Sequence, residues 1–128
     1  MKDRILLHTD LDVYRRTFDT AMHIFDLSRQ FPFEERFSLT DQIRRSSRSV
    51  CANLAEAWRK RRYAAAFVSK LSDAESEIAE TQVWLEFAVR CAYMRREDAI
   101  ASYREYDRSL RTIVGMINHL NTWLIGKK

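Results

Sequence analysis

The sequence predicts an all-α fold, a single domain of four amphipathic helices packed as an antiparallel four-helix bundle. Two observations carry this. The 128 residues include 2 glycines and 1 proline, whereas a β-rich domain of this size needs many turns and the Gly, Pro and Asn that make them. Apolar residues also recur at alternating steps of three and four in four separate runs, the spacing of a seam between helices crossing at about 20°. The length fits one domain, here residues 1–128, and a hydrophobic content of 46% suffices for a core.

The first helix is predicted over residues 10–30, with Leu11, Tyr14, Phe18, Ala21 and Phe25 as its seam and Ile24 and Leu27 widening the face. Thr9 or Asp10 is its expected N-cap, and Phe31-Pro32-Phe33 ends it, because Pro32 lacks an amide hydrogen and disfavours helix at Phe31. The second is predicted over 40–60 on Ile43, Ser47, Val50, Leu54 and Ala57, capped by Ser38 or Thr40, with Asp41 at the positive end of the dipole. No Gly or Pro separates Trp58 from Phe67, but the apolar register slips by one residue there, which places a turn near Arg61–Tyr63. The third helix, 64–92, carries Phe67, Leu71, Ala74, Ile78, Leu85 and Ala88, with Thr81 as a polar interruption. A turn near Tyr93–Arg96 leads into the fourth, 97–124, on Tyr103, Tyr106, Leu110, Ile113, Ile117, Leu120 and Leu124. Gly126 follows as its expected C-terminal cap.

Several function classes find no support. His8, His23 and His119 share no metal-ligand spacing, and there is no Cys/His cluster, phosphate-binding Gly-rich loop or Gly-x-Ser-x-Gly elbow. No catalytic site, metal or cofactor is therefore expected, nor a small-molecule substrate. The opening MKDRILLHTD has an apolar run of only three residues, and no stretch approaches the ~18 apolar residues of a membrane span. These features predict a cytoplasmic protein without membrane contact, its thiols reduced. Cys51 and Cys91 read as small core residues.

Two stripes on the second helix stand out. Gln42, Ser46, Ser49, Asn53, Glu56 and Lys60 recur at helical steps, and Asp73, Ser76, Glu80 and Phe87 follow similar spacing on the third. This stripe is either a solvated face or a polar seam between helices or subunits, carried by Gln42, Ser49, Asn53, Glu56, Ser76 and Glu80. Mid-helix amide and hydroxyl side chains are poor helix formers, which is consistent with a tertiary reason. A catalytic acid pair, Glu56 with Glu80, is the remotest reading, because nothing beside them supplies a nucleophile.

The other stripe is basic. Arg44, Arg48, Arg59 and Arg62 project to one side, flanked by Arg45, Lys60 and Arg61, and Glu56 is the sole acid between Arg44 and Arg62. The formal net charge of +4 is mild, so its concentration here matters more than its size. The stripe is either a solvated face offset by third-helix glutamates or a ridge for a polyanion. Arginine suits forked contacts to phosphate, and Trp58 and Tyr63 could stack on bases, although the core is the commoner place for Trp58.

The run Phe37-Ser38-Leu39-Thr40-Asp41-Gln42-Ile43-Arg44-Arg45-Ser46-Ser47-Arg48-Ser49-Val50-Cys51-Ala52-Asn53-Leu54-Ala55-Glu56-Ala57 resembles the signature of the bacterial four-helix bundle proteins, also called 23S ribosomal RNA intervening sequence proteins. Leu27-Ser28, Phe31-Pro32, and Ala74, Ser76 and Glu80 within Phe67–Tyr93 fit the same pattern, so the resemblance spans about Asp12 to Leu124. Ala57 departs from it where the family often has Gly, as does the lack of a Pro near Cys51. The resemblance implies an up-down-up-down bundle and a ring-shaped homo-oligomer, typically a pentamer. The bundle is also similar to the accessory variability determinant of diversity-generating retroelements, a basic pentamer that binds a reverse transcriptase and nucleic acid. The expectation is thus a non-enzymatic oligomer that holds RNA or DNA phosphates on the basic ridge. The alternative is a protein-interaction adaptor, such as an accessory subunit of a reverse transcriptase.

Overall fold

The computed structural model describes residues 4–126. Four main helices, α1 (Asp12–Ser28), α2 (Leu39–Arg59), α3 (Ala64–Arg90) and α4 (Arg96–Asn118), are followed by a single turn of helix, α5 (Leu120–Trp123). Successive helices pack antiparallel, α1 closes against α4, and the α2–α3 contact is the most extensive. Among the described residues there is no strand, and no helix is long and apolar enough to cross a membrane.

On α2 and α3 the apolar seams lie where the spacing puts them. Ile43, Ser47, Val50, Leu54 and Ala57 face Phe67, Leu71, Ala74, Ile78, Leu85 and Ala88 in the core. The polar interruption Thr81 is also fully buried, and its hydroxyl donates to Ser46 Oγ at 2.7 Å across the helix pair.

On α1 the core face is rotated from the expected one. Val13, Thr17, Thr20, Ala21, Ile24 and Ser28 point inward, Tyr14 and Phe25 are half-buried, and Phe18 is 47% exposed. The cause is that hydroxyl side chains satisfy themselves on their own helix. Thr17 Oγ1 donates to the Val13 carbonyl at 2.9 Å, Thr20 Oγ1 to Arg16 at 2.9 Å and Ser28 Oγ to Phe25 at 2.8 Å. Once bonded in this way, a threonine packs much as a valine does. On α4 the buried line is Ala99, Ser102, Tyr106, Ser109, Ile113 and Met116, which leaves Leu110 and Ile117 half-buried at its margins.

Neither helix start is capped by the side chain the sequence offers. The Asp10 carboxylate accepts the amides of Leu6 and Leu7, both at 3.0 Å, so it closes the turn before α1 while Leu11 takes the N-cap position. Those two amides hold the Asp10 carboxyl below its ordinary range. Ser38 takes the N-cap position of α2, but its hydroxyl donates to Glu35 Oε1 at 2.5 Å, and that same oxygen accepts the Leu39 amide at 3.2 Å. Thr40 is buried in the first turn. The other Glu35 oxygen accepts the Tyr93 hydroxyl at 2.9 Å, so one carboxylate ties the start of α2 to the α3–α4 turn.

That turn is a left-handed cap. Ala92 has φ of 63°, its amide bonds to Val89 O and the Tyr93 amide reaches back to Ala88 O, both at 2.9 Å. Cys51 is in the core, whereas Cys91 sits at the exposed end of α3 and is not the core residue the sequence suggested, because the chain leaves the helix there. The fourth helix also stops earlier than its apolar rhythm: His119 leaves the helical region at φ −127° and ψ 51°. The C-terminal segment then folds back over the α2–α3 turn. Trp123 meets the buried Trp58 edge-on at 6.4 Å, and the Ile125 amide donates to Arg61 O at 3.2 Å. Gly126, at φ 70°, follows this short segment rather than capping α4.

Candidate nucleic-acid interface

The basic residues of α2 divide into three groups by position. A residue advances about 100° around a helix, so Arg44 and Arg48 share a side and Arg45 does not. Arg44 and Arg48 face α1. Their guanidinium carbons lie 4.6 and 5.6 Å from the centre of the half-buried Phe25 ring, and Arg29, just past the end of α1, approaches the same ring at 5.2 Å. Arg44 Nε also donates to the buried Ser28 hydroxyl at 2.8 Å, which fixes the guanidinium, and its two terminal nitrogens have no hydrogen-bond partner among the described residues. Arg36, in the turn before α2, rests on two aromatic rings, 3.6 Å from the centre of Phe33 and 4.3 Å from that of Phe37. Arg36, Thr40, Asp41, Arg44, Arg45 and Arg48 line a shallow hollow of about 450 Å³. Among the described residues Arg29, Arg36, Arg44 and Arg48 form no ion pair.

Arg45, although it borders the hollow, turns to α3. It pairs with Glu80 and, at 3.5 Å, with Glu77, while its Nε donates to Gln42 Oε1 at 3.3 Å. The Glu80 contact is the leading reason its pKa is raised. The third group lies about four turns away, at the far end of α2. Arg59, Lys60 and Arg62 are exposed there. Arg61 is drawn inward: its guanidinium lies 3.4 Å over the Trp58 ring and its Nε caps the Trp58 carbonyl at 2.8 Å. Desolvation lowers its pKa. Tyr63 is exposed beside this group.

The polar stripe is only partly brought together. Gln42 and Glu80 meet through Arg45, and Glu56 pairs with Lys70 at 2.8 Å, so these three residues link α2 to α3. Asn53 instead donates to the Ser49 carbonyl at 3.0 Å and hydroxyl at 3.2 Å within its own helix, and Ser76 is exposed. Glu56 and Glu80 bond to different partners some three turns apart along the helix pair, which rules them out as an acid pair. Among the described residues no group of three or more His, Cys, Asp or Glu is arranged to hold a metal.

Arg29 and Arg36 belong to the cluster but not to the ridge read from the sequence. A ridge counted along one helix passes over them, because the cluster draws on the end of α1, the connecting turn and α2. The available signal was the interleaved Phe31-Pro32-Phe33-Glu34-Glu35-Arg36-Phe37, which places a cation between two aromatic residues.

The sequence model of the 23S rRNA-intervening sequence proteins matches residues 9–116, which spans α1, α2, α3 and all but the last two residues of α4. The chain belongs to this family. The 23S rRNA-intervening sequence bundle is also similar to a crystal structure of a protein with unknown function from the S23 ribosomal protein family of Bacteroides thetaiotaomicron VPI-5482. The two are 29% identical, with a TM-score of 0.74 over 83% of this chain and 95% of that one. No curated protein matches the chain in sequence. The family match extends only two residues past Val114, so it stops short of the C-terminal turn that covers Trp58.

Proposed function

We propose that this 23S rRNA-intervening sequence protein is a non-enzymatic homo-oligomer, a pentameric ring, that binds the phosphates of RNA through its arginines. The observation that carries this reading is the convergence of Arg29, Arg36, Arg44 and Arg48 from three successive segments with no ion pair among them. A guanidinium held on an aromatic ring is positioned in advance, and its forked donors suit phosphate. DNA phosphates would satisfy the same donors. Phosphate contacts position a ligand without reading bases, so little sequence preference is expected. Repetition of the cluster around a ring would turn a weak single contact into a strong collective one.

The test is fluorescence anisotropy of a labelled RNA at several salt concentrations. Affinity should fall with salt, with a logarithmic slope of about −0.7 for each single-strand phosphate engaged. Replacing Arg29, Arg36 and Arg48 with Gln, with Arg44 kept because it anchors Ser28, should weaken binding and flatten the slope while the melting temperature holds. Unchanged affinity and slope in that variant would end the proposal. Light scattering reports the assembly, and a monomer at micromolar concentration would remove the ring.

A second reading, a protein-interaction adaptor such as a reverse-transcriptase accessory subunit, has its own observation. Phe37, Leu39, Trp84, Phe87 and Cys91 line a largely apolar hollow of about 620 Å³ between the start of α2 and the end of α3. Apolar surface of this kind favours a protein partner over a polyanion. If bare RNA does not bind at low salt, the adaptor reading takes first place.

A further inference from the structure

The turn between α1 and α2 carries two large apolar side chains in water. Phe33 is 75% exposed and Phe37 80% exposed, while the neighbouring Phe31 is buried against Tyr93. Nothing in the core requires the two exposed rings. They are nonetheless held in place: the Arg36 guanidinium contacts both, and its Nη1 donates to the Phe33 carbonyl at 3.2 Å. Each ring therefore has the Arg36 cation against it and most of its surface in water, with Phe37 also bordering the apolar hollow toward Trp84 and Phe87. The arginine-lined hollow begins at that same Arg36 and continues to Arg44 and Arg48.

We infer that this turn is a single-strand subsite, in which unpaired bases stack on Phe33 and Phe37 while the adjoining phosphates lie on Arg36, Arg44 and Arg48. The inference rests on the phosphate-binding reading above and deepens it by naming the ligand class: single-stranded rather than duplex nucleic acid. A base in a duplex is already stacked on both faces and cannot reach an exposed ring, whereas every unpaired base presents a π-face. A positive groove beside aromatic platforms is the arrangement that holds single strands with little regard to sequence. The cation under each ring adds to the platform, because it fixes the ring before the base arrives.

The experiment compares three probes of equal phosphate count: a single-stranded RNA, an RNA duplex, and a single strand whose central bases are abasic. Each is titrated against the wild type and against Phe33→Ala/Phe37→Ala in the full chain. Both rings are exposed, so the variant should keep its helical content and melting temperature, which circular dichroism checks. The wild type should bind the single strand about tenfold or more tightly than the abasic strand, given the usual worth of a base stacked on an aromatic ring. The double variant should lose that advantage while its affinity for the abasic strand holds. A variant that binds all three probes as the wild type does would overturn the subsite and leave the phosphate reading standing. So would a wild type that prefers the duplex. A variant whose oligomeric mass changes while its affinity for the single strand holds would make the rings a contact between copies and overturn the inference. No binding of any probe by the wild type at low salt would overturn both readings together.

Discussion

Thr81 and Ser46 make a buried hydrogen bond between α2 and α3, and its two ends should respond unequally to mutation. Thr81 has one hydroxyl hydrogen and two acceptors in reach, Ser46 Oγ at 2.7 Å and the Glu77 carbonyl at 2.8 Å. Ser46 has a poorer alternative, the Ile43 carbonyl at 3.5 Å, at the edge of what counts as a hydrogen bond. Both side chains are fully buried. Ser46→Ala therefore lets Thr81 turn to its own helix, and the cost is the net worth of one hydrogen bond, about 0.5–1.5 kcal/mol. Thr81→Val keeps the shape but leaves the Ser46 hydroxyl short of a partner, a desolvation cost of about 1–3 kcal/mol. With both hydroxyls removed Ser46 no longer strands a polar group, and the buried Tyr106 hydroxyl beside Thr81 is affected equally in both variants, so the double variant should be more stable than Thr81→Val alone. Urea denaturation of the wild type, both single variants and the double variant measures this directly, with m-values compared to confirm that the unfolding transition is unchanged. Additive single costs, or a Thr81→Val variant as stable as the wild type, would refute the reasoning and place water or another partner at Ser46.

Ile113→Ala should cost about 2–5 kcal/mol, because Ile113 is 0% exposed in the bundle core; a loss below about 0.5 kcal/mol in a denaturant titration would break the α4 register. Ala92→Gly should raise stability by about 0.5–1 kcal/mol: at φ 63° the methyl group is strained by more than the added freedom of glycine costs in the unfolded chain, and a lower melting temperature would contradict this. The Glu35 carboxyl is held below its ordinary value, first by the Ser38 hydroxyl, then by the Tyr93 hydroxyl and the Leu39 amide. Its contribution is therefore present above the usual glutamate range near about 4.3 and is lost as pH falls through the lower folded value. Thermal melts between neutral and acidic pH should show a steeper acid loss for the wild type than for Glu35→Gln, and parallel curves would remove Glu35 from that role. The same contact pushes the Tyr93 phenol up to about 12, so this tie between α2 and the α3–α4 turn should persist well into alkaline pH.

How legible each part was depended on which side chains count as apolar. The α2 and α3 seams use Ile, Leu, Val, Phe and Ala, and their spacing placed them correctly. The α1 seam uses Thr17, Thr20 and Ser28, which an apolar count passes over, so the bulkier Tyr14, Phe18 and Phe25 drew the predicted face toward solvent. The half-buried Phe25 has a further role that spacing cannot express, since three guanidinium groups gather on it from two helices. The caps were misplaced for a related reason. Local rules look to Ser38 or Thr40, whereas the carboxylate of Glu35 reaches forward from the preceding turn. Arg45 and Arg61 look like their neighbours in sequence. Only the partner helix and the indole of Trp58 separate them from the outward arginines.

The division of the basic ridge has a consequence for binding. Arg44 and Arg59 are fifteen residues apart on α2, about 22 Å along the axis. That exceeds the ~8 Å screening length at physiological ionic strength, so Arg29, Arg36, Arg44 and Arg48 at one end cannot reinforce Arg59, Lys60 and Arg62 at the other through the solvent. The stretch between them adds no charge on that side, since Ala52 and Ala55 follow Arg48 there. Under the proposed phosphate binding, the two ends become one site only when a single flexible polyanion lies across both, and its second contact then gains from being intramolecular. A strand too short to span α2 would sample either end separately. It would feel only the local charge, and its salt dependence would reflect the few phosphates held there rather than the whole ridge. The aromatic turn is present at one end alone, so the ends also differ in kind. The α1–α2 end sets two exposed rings beside its arginines, whereas the α2–α3 end, with Arg61 committed to Trp58 and the C-terminal segment folded over it, sets the exposed ring of Tyr63 alone beside Arg59, Lys60 and Arg62.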